Sequence, residues 1–242
     1  MGVLRKIYLI LIAAPLFIVI TFLTAVLTIL TTAVGGNRFW GYWPAHIWSR
    51  IVCWLAFVKV EVRGRENIDK KTSYIFVSNH QGAFDIWAIY GYLNHNFKWL
   101  MKKSLEKIIF VGFACKRSGH VFVDSNSLQS IKQTIDHARG QLKDGMSLVI
   151  FPEGTRTKTG SLGDFKRGAF MLAGEFSLPV VPLSIQGAYD IMPKDSYFPN
   201  PGKIILTIHP SIYPGERGFN TRTLLSQCHE IIKSDLEPSD ND

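Results

Sequence analysis

Cysteine is scarce in this chain: Cys53, Cys115 and Cys228 are the three in 242 residues. They stand too far apart for a metal-binding pattern, and three thiols make no disulfide framework. They read as reduced thiols on the cytoplasmic side of a membrane. Charge is scarce too, at 19% against 47% hydrophobic residues, where ordinary soluble domains carry about 25%. That balance excludes a disordered chain. Acid is scarcer than base: 19 Asp and Glu against 27 Lys and Arg leave a formal charge of +8. A basic, apolar chain suits an anionic partner, such as a membrane surface, a phosphorylated substrate or nucleic acid. No RNA or DNA module signature accompanies the charge, so nucleic acid is set aside. No G-x-S-x-G is present to support a membrane-associated hydrolase.

What is abundant is hydrocarbon at the N-terminus. Ile7 to Val34 contains no charged residue, 28 in a row. As a helix this is about 42 Å long, against a hydrocarbon core of about 30 Å. The run is longer than the roughly 7–15 apolar residues of a cleaved signal peptide, and no A-x-A site closes it. Pro15 is placed to kink the helix. The next stretch, Phe39 to Val58, holds Trp40, Trp43, Trp48 and Trp54, four of the six tryptophans, with Tyr42. Tryptophan and tyrosine favour the headgroup level, so this segment reads as an interfacial helix. Gly35-Gly36-Asn37 supplies the turn between the two. Either the first helix spans the bilayer, or both form a hairpin dipped into one leaflet. Residues 1–58 therefore read as membrane-anchoring helices and 59–242 as the working domain.

From Lys59 the chain alternates short apolar strands with helical segments. Strands are expected at Val58–Val62, Tyr74–Val77, Phe97–Met101, His120–Val123, Ser147–Phe151, Val180–Ile185 and Ile204–Ile208. Helices are expected at Phe84–Leu93, Leu105–Cys115, Leu128–Leu142, Lys166–Phe176 and Thr221–Leu236. This alternation predicts an α/β domain, a mixed, largely parallel sheet flanked by helices.

Two segments directly after strands carry chemistry. Asn79-His-Gln-Gly-Ala-Phe-Asp85 sets a histidine and an aspartate five apart. An aspartate that accepts from one imidazole nitrogen fixes the tautomer and leaves the other nitrogen free to take a proton from an alcohol. Alone the spacing is weak, and a solvated His80 with Asp85 capping a helix competes with it. Phe151-Pro-Glu-Gly-Thr-Arg-Thr157 brings backbone N–H groups, a hydroxyl and a guanidinium together, a set suited to phosphate. Glu153 either contacts substrate or holds Arg156 or the loop backbone. No third ligand accompanies His80 and Asp85, so no metal is expected. Lys98, Lys102, Lys103, Lys107, Lys116 and Arg117 form a basic run against Glu106 alone.

The two segments, in this order and about 70 residues apart, resemble the first and third blocks of the 1-acylglycerol-3-phosphate acyltransferases and related glycerolipid acyltransferases. Val181-Pro-Leu183 resembles the fourth block. Met101-Lys-Lys-Ser-Leu105 through Gly112, then Gly119-His-Val-Phe-Val-Asp124, resemble the second. Phe165-Lys-Arg-Gly-Ala-Phe170 matches the segment that follows the third. This chain departs from the pattern at Ser125, where the family usually has arginine, and at Ile109, where it usually has proline.

The resemblance implies a membrane-bound O-acyltransferase. It would move a fatty acyl group from an acyl carrier protein or coenzyme A thioester to the free hydroxyl of 1-acylglycerol-3-phosphate, making phosphatidic acid. Another lyso-lipid, such as a lyso-aminolipid, is the alternative acceptor, and a non-catalytic lipid-binding homologue is the alternative of a different class. His80 would be the general base and Asp85 its orienting partner. Glu153, Gly154, Thr155 and Arg156 would hold the acceptor's polar head. Lys102 and Lys103 would add substrate-binding charge on a basic rim that recruits anionic carriers and headgroups. No cofactor beyond the acyl-CoA or acyl-ACP co-substrate is implied. The catalytic domain is expected on the cytoplasmic face of the membrane.

Overall fold

The computed structural model describes residues 2–123, 136, 138–140, 142, 145–214 and 220–237. Asp124 and Ser125, most of the helix expected over Leu128–Leu142, and the acidic tail from residue 238 lie outside them.

Seven strands build one sheet: β1 (Val58–Arg63), β2 (Ile75–Ser78), β3 (Phe97–Lys102), β4 (Val121–Val123), β5 (Ser147–Ile150), β6 (Val180–Gln186) and β7 (Gly202–Ile208). Their order is β1-β7-β6-β2-β5-β3-β4. Every neighbouring pair is parallel except β6 with β7. This is the mixed, largely parallel sheet that the strand–helix alternation predicts. Strands β2 and β5 are adjacent, Ile75 opposite Leu148, which brings the loops after them to one edge. Pro182 sits inside β6, and its carbonyl accepts the His209 N–H at 3.0 Å. The N–H and C=O of one strand residue point the same way, so the missing proline N–H falls at the end of the β6–β7 ladder and one terminal bond is lost.

The sheet separates two apolar layers. Phe76, Val149, Val181, Leu183, Ile185, Ile204 and Leu206 face one side. Ile75, Val77, Leu148, Ile150 and Val180 face the other, under α5 (Gly168–Phe176) and α7 (Thr221–Leu236). The period-two side-chain alternation of a strand produces this division. The first side is covered by α2 (Trp43–Leu55) and α3 (Phe84–Tyr92). Two further helices are α4 (Val111–Arg117) and the short α6 (Ala188–Ile191).

The N-terminal run forms one helix, α1 (Val3–Gly35), long and apolar enough to cross a membrane by length and composition. Its Leu9–Ala13 segment is π-helical. Pro15 lies two residues beyond it, and its missing N–H and its ring disturb the turn before it, which a widened turn relieves. Helices α1 and α2 run antiparallel. The Tyr8 hydroxyl donates to the Leu55 carbonyl at 3.0 Å, and Trp48 Nε1 donates to Thr21 Oγ1 at 3.0 Å. The aromatic segment divides between two environments: Trp54 and Trp43 are exposed, while Tyr42, Val52, Cys53 and Leu55 are buried. The apolar core thus runs across residue 58.

Two expectations from sequence are corrected. Leu105–Cys115 is not one helix. A 3-10 turn over Lys103–Lys107 is followed by a break, and α4 starts at Val111. The apolar residues there fill more than one helical face, and the β-branched pair Ile108-Ile109 disfavours continuation. Lys98 is not on the basic rim either. It is fully buried in β3, and its Nζ donates to the Asn37 carbonyl at 2.8 Å.

Burial, with Arg38 nearby, pushes the Lys98 ammonium down to about 7. Its neighbour His120 is neutral, held down to about 3 by burial and by Lys98. The His120 Nδ1 accepts the Trp99 N–H, and its Nε2–H reaches the Tyr90 hydroxyl at 3.3 Å. Between about pH 7 and the ordinary lysine pKa near 10.4, the unfolded chain holds a Lys98 proton that the folded chain has released. Stability therefore rises with pH across that window. Melting temperature should climb more from pH 7 to 10 in the wild type than in Lys98→Met. Equal slopes would show that Lys98 folds in its charged form.

Candidate active site

The loops after β2 and β5 meet at the carboxyl edge of the sheet, where open α/β folds place ligands. His80 leaves the end of β2, and Asp85 lies in the first turn of α3, where the helix dipole favours a carboxylate. His80 Nδ1 lies 2.7 Å from Asp85 Oδ2. The same oxygen accepts the Gly82 N–H at 2.8 Å. Asp85 thus orders the start of α3 and orients the histidine at once. It is fully buried, while the His80 side chain keeps 14% of its surface open. With Nδ1–H donating to the carboxylate, Nε2 is the acceptor edge.

The ring is fixed from a second direction. Phe151, just beyond β5, stacks on His80 with centroids 3.9 Å apart and planes 7° apart. Trp99 of β3 backs Phe151 at 5.4 Å. The backbone is fixed as well: Thr157 N–H donates to the His80 carbonyl at 2.9 Å. Asn79, which the sequence reading did not assign, closes a two-way bond with Ile185, its Nδ2 and Oδ1 each at 2.8 Å. That clasp ties the loop to β6; its only signal in the sequence is its place beside His80.

Glu153 takes the loop-holding alternative. Its Oε1 accepts the His80 N–H at 2.7 Å and its Oε2 the Gly163 N–H at 3.0 Å. Both oxygens therefore serve the two loops. Burial raises its pKa, and the two N–H bonds oppose that rise. Gly154 turns the chain at φ 73°, and a Cβ there would meet Lys166 Nζ at 2.7 Å. Thr155 is exposed and accepts from Lys194 Nζ at 3.4 Å. Arg156 is half-buried. Arg156, Lys166 and Lys194 form no ion pair among the described residues. The loop thus carries cations that no carboxylate pairs with among the described residues, its own Glu153 being held by the two N–H groups. Lys194 comes from the segment after α6 and carries no motif, so sequence spacing gives no sign of it.

Lys102 ends β3 at the same sheet edge and is exposed. Lys103 is engaged by Glu106 at 2.8 Å, and Lys116 holds the other oxygen of Glu106 at 3.1 Å. No cluster of three metal-ligating side chains occurs among the described residues. Ser184, His209 and Asp235 also come together, but the serine at 2.7 Å and the carboxylate at 3.7 Å both approach Nε2 of the histidine. A relay needs opposite ring nitrogens, and Ser184 is fully buried.

Residues 59–186 match the family profile described as Acyltransferase. The chain is 34% identical over 179 residues to the chloroplastic 1-acyl-sn-glycerol-3-phosphate acyltransferase BAT2 of Brassica napus, covering 73% of this chain and 52% of that one. It is 32% identical over 193 residues to the 1-acyl-sn-glycerol-3-phosphate acyltransferase of Pseudomonas aeruginosa, covering 78% and 74%. The crystal structure of the 1-acyl-sn-glycerophosphate (LPA) acyltransferase PlsC from Thermotoga maritima superposes with a TM-score of 0.71 at 29% identity, over 82% of this chain and 79% of that one. The chain spans about half the length of the plant and algal relatives it matches.

Proposed function

This chain belongs to the acyltransferase family of the 1-acylglycerol-3-phosphate acyltransferases, and we propose that it esterifies the free hydroxyl of 1-acylglycerol-3-phosphate with a fatty acyl group. The donor is a thioester of coenzyme A or acyl carrier protein. One observation carries the reading: the acceptor edge of an oriented imidazole opens beside a loop whose Arg156, with Lys166 and Lys194, forms no ion pair among the described residues.

His80 Nε2 takes the hydroxyl proton as the oxygen attacks the thioester carbonyl. The new ester C–O bond forms, the C–S bond breaks, and the imidazolium returns its proton to the departing thiolate. Asp85 stabilises the transient imidazolium through its 2.7 Å bond. Arg156, Lys166 and Lys194 suit the acceptor phosphate, with bonds stronger than neutral ones. An apolar cleft between α1, α2 and α3, lined by Phe17, Val52, Phe84, Trp87 and Met192, suits a lipid chain. Phe84, which lines the cleft, is next in sequence to Asp85.

The membrane reading follows from how α1 is tied down. Near its start, Arg5 donates to the Pro199 carbonyl and to Asn200 Oδ1. Just past its end, the Asn37 carbonyl accepts from Lys98 of β3. A 33-residue helix is about 50 Å long, and one polar domain holds both ends. A bilayer-crossing helix would draw that domain through the hydrocarbon. The arrangement fits a helix lying in one leaflet with α2 beside it, and the side we propose for the domain is the cytoplasmic one.

The test is transfer by the full chain in vesicles, with acyl-CoA and acyl-ACP as donors. Lysophosphatidate should be preferred over uncharged monoacylglycerol by roughly ten- to a hundred-fold, the worth of about 1.5–3 kcal/mol for charge-assisted bonds. Equal rates on the two acceptors would overturn the phosphate-headed acceptor. Thioester loss without ester formation would overturn transfer itself.

A further inference from the structure

The break between the 3-10 turn and α4 leaves an apolar surface that the reaction does not use. Leu105, Ile108, Ile109, Phe110 and Phe113 are all exposed, Ile109 by 80%. Single exposed apolar residues are ordinary, but five on one nine-residue stretch make a patch. The backbone holds them there under strain. Phe110 sits at φ 62°, a conformation that bulky L-residues avoid. Gly112 lets α4 close over the preceding turn, since a Cβ there would lie 2.3 Å from the Glu106 carbonyl oxygen.

Two observations say what covers the patch. The first is continuity: Phe110 meets Phe22 of α1 edge-on at 5.3 Å. Phe22, Leu23 and Leu27 of that helix are exposed in turn, so the patch extends the helix's outer apolar face. The second is charge. Lys102, Lys107 and Arg117 flank the patch, and the one local carboxylate, Glu106, is already bound by Lys103 and Lys116. An apolar face with a cationic rim, continuous with a 33-residue apolar helix, complements a bilayer with anionic headgroups.

We infer that residues 105–113 insert into the same leaflet as α1, as a second anchor supplied by the catalytic domain itself, with Lys107 at the headgroups. The inference rests on the lipid-embedded reading of α1. It adds an orientation, because β3 ends at Lys102 immediately before the wedge, so the sheet edge that holds His80 faces the membrane.

Ile109→Cys, in the full chain carrying Cys115→Ser, can bear an environment-sensitive fluorophore; Cys53 and Cys228 are buried. Matched labels at Leu27 and Glu175 report α1 and the opposite layer, and transfer activity of each labelled protein reports folding. In phosphatidylcholine–phosphatidylglycerol vesicles with brominated acyl chains, labels at 27 and 109 should be quenched at least about threefold more than at 175. Lys107→Glu should weaken insertion at 109 by roughly fivefold in anionic vesicles and leave it unchanged in pure phosphatidylcholine. Quenching at 27 but not at 109 would overturn the second anchor while the membrane reading stands. Quenching at neither would overturn both. A label at 109 that responds to acyl carrier protein and not to vesicles would make the patch a protein-docking surface and overturn the inference.

Discussion

His80→Ala is expected to lower kcat by at least about 10²-fold, the lower bound for a positioned general base. Alanine removes the acceptor edge and the bond to Asp85 but leaves the rest of the loop in place, because the other bonds His80 makes run through its own backbone and the Asn79 clasp is untouched. The His80 N–H to Glu153 and the His80 carbonyl to Thr157 survive the change. The melting temperature should therefore stay close to wild type, and vesicle binding should not move. Asp85→Asn is the companion variant. It keeps an acceptor for His80 Nδ1–H but removes the charge that stabilises the imidazolium, so its loss should fall in kcat more than in KM. Activity of His80→Ala above about a tenth of wild type would remove histidine as the base.

The second large effect concerns where the folding unit begins. The family match starts at residue 59, and a chain starting at Lys59 is expected not to fold. It would lack Tyr42, Val52, Cys53 and Leu55, each with 6% of its surface exposed or less. Burying each such side chain contributes about 1.5–3 kcal/mol, so the four together reach about 6–12 kcal/mol. That approaches the entire stability of a typical domain, about 5–15 kcal/mol. The sheet would also lose the cover over Phe76 and Val181. A chain starting at Asn37 keeps α2 and the carbonyl that Lys98 needs, and should melt cooperatively. It would still expose Trp48 and Trp87, which now pack on Phe17. A soluble 59–242 fragment with a cooperative melt would refute this assignment.

Much of the sheet was legible because its strands are short apolar runs bounded by turn residues. Residues 75–77 and 180–185 are buried on both faces of a largely parallel sheet and need no alternation to be recognised. The histidine–aspartate pair was legible because its two members are close in sequence. What stayed hidden depended on tertiary contacts. Lys98 lies in a basic run, and nothing in that run distinguishes a lysine that reaches a carbonyl 61 residues away. Trp48 and Trp54 look alike in sequence, yet one packs inward against Thr21 and the other faces out. Glu153 showed only that it stood beside an arginine; its partners are amides of two separate loops. The break at Phe110 was hidden because helix periodicity counts apolar residues without saying which of them the rest of the chain will cover.

The pairing of β2 with β5 also gives the site a folding history. The bond from the His80 N–H to Glu153 joins residues 73 apart, and nothing local brings them together. Closing such a loop costs entropy before any contact rewards it. The two halves of the site become one only when the parallel strands between them have paired. Refolded protein should thus recover transfer activity in the same kinetic phase as its central sheet, with no earlier species able to turn over substrate. Competence here is a late event in the life of the chain, reached together with the core.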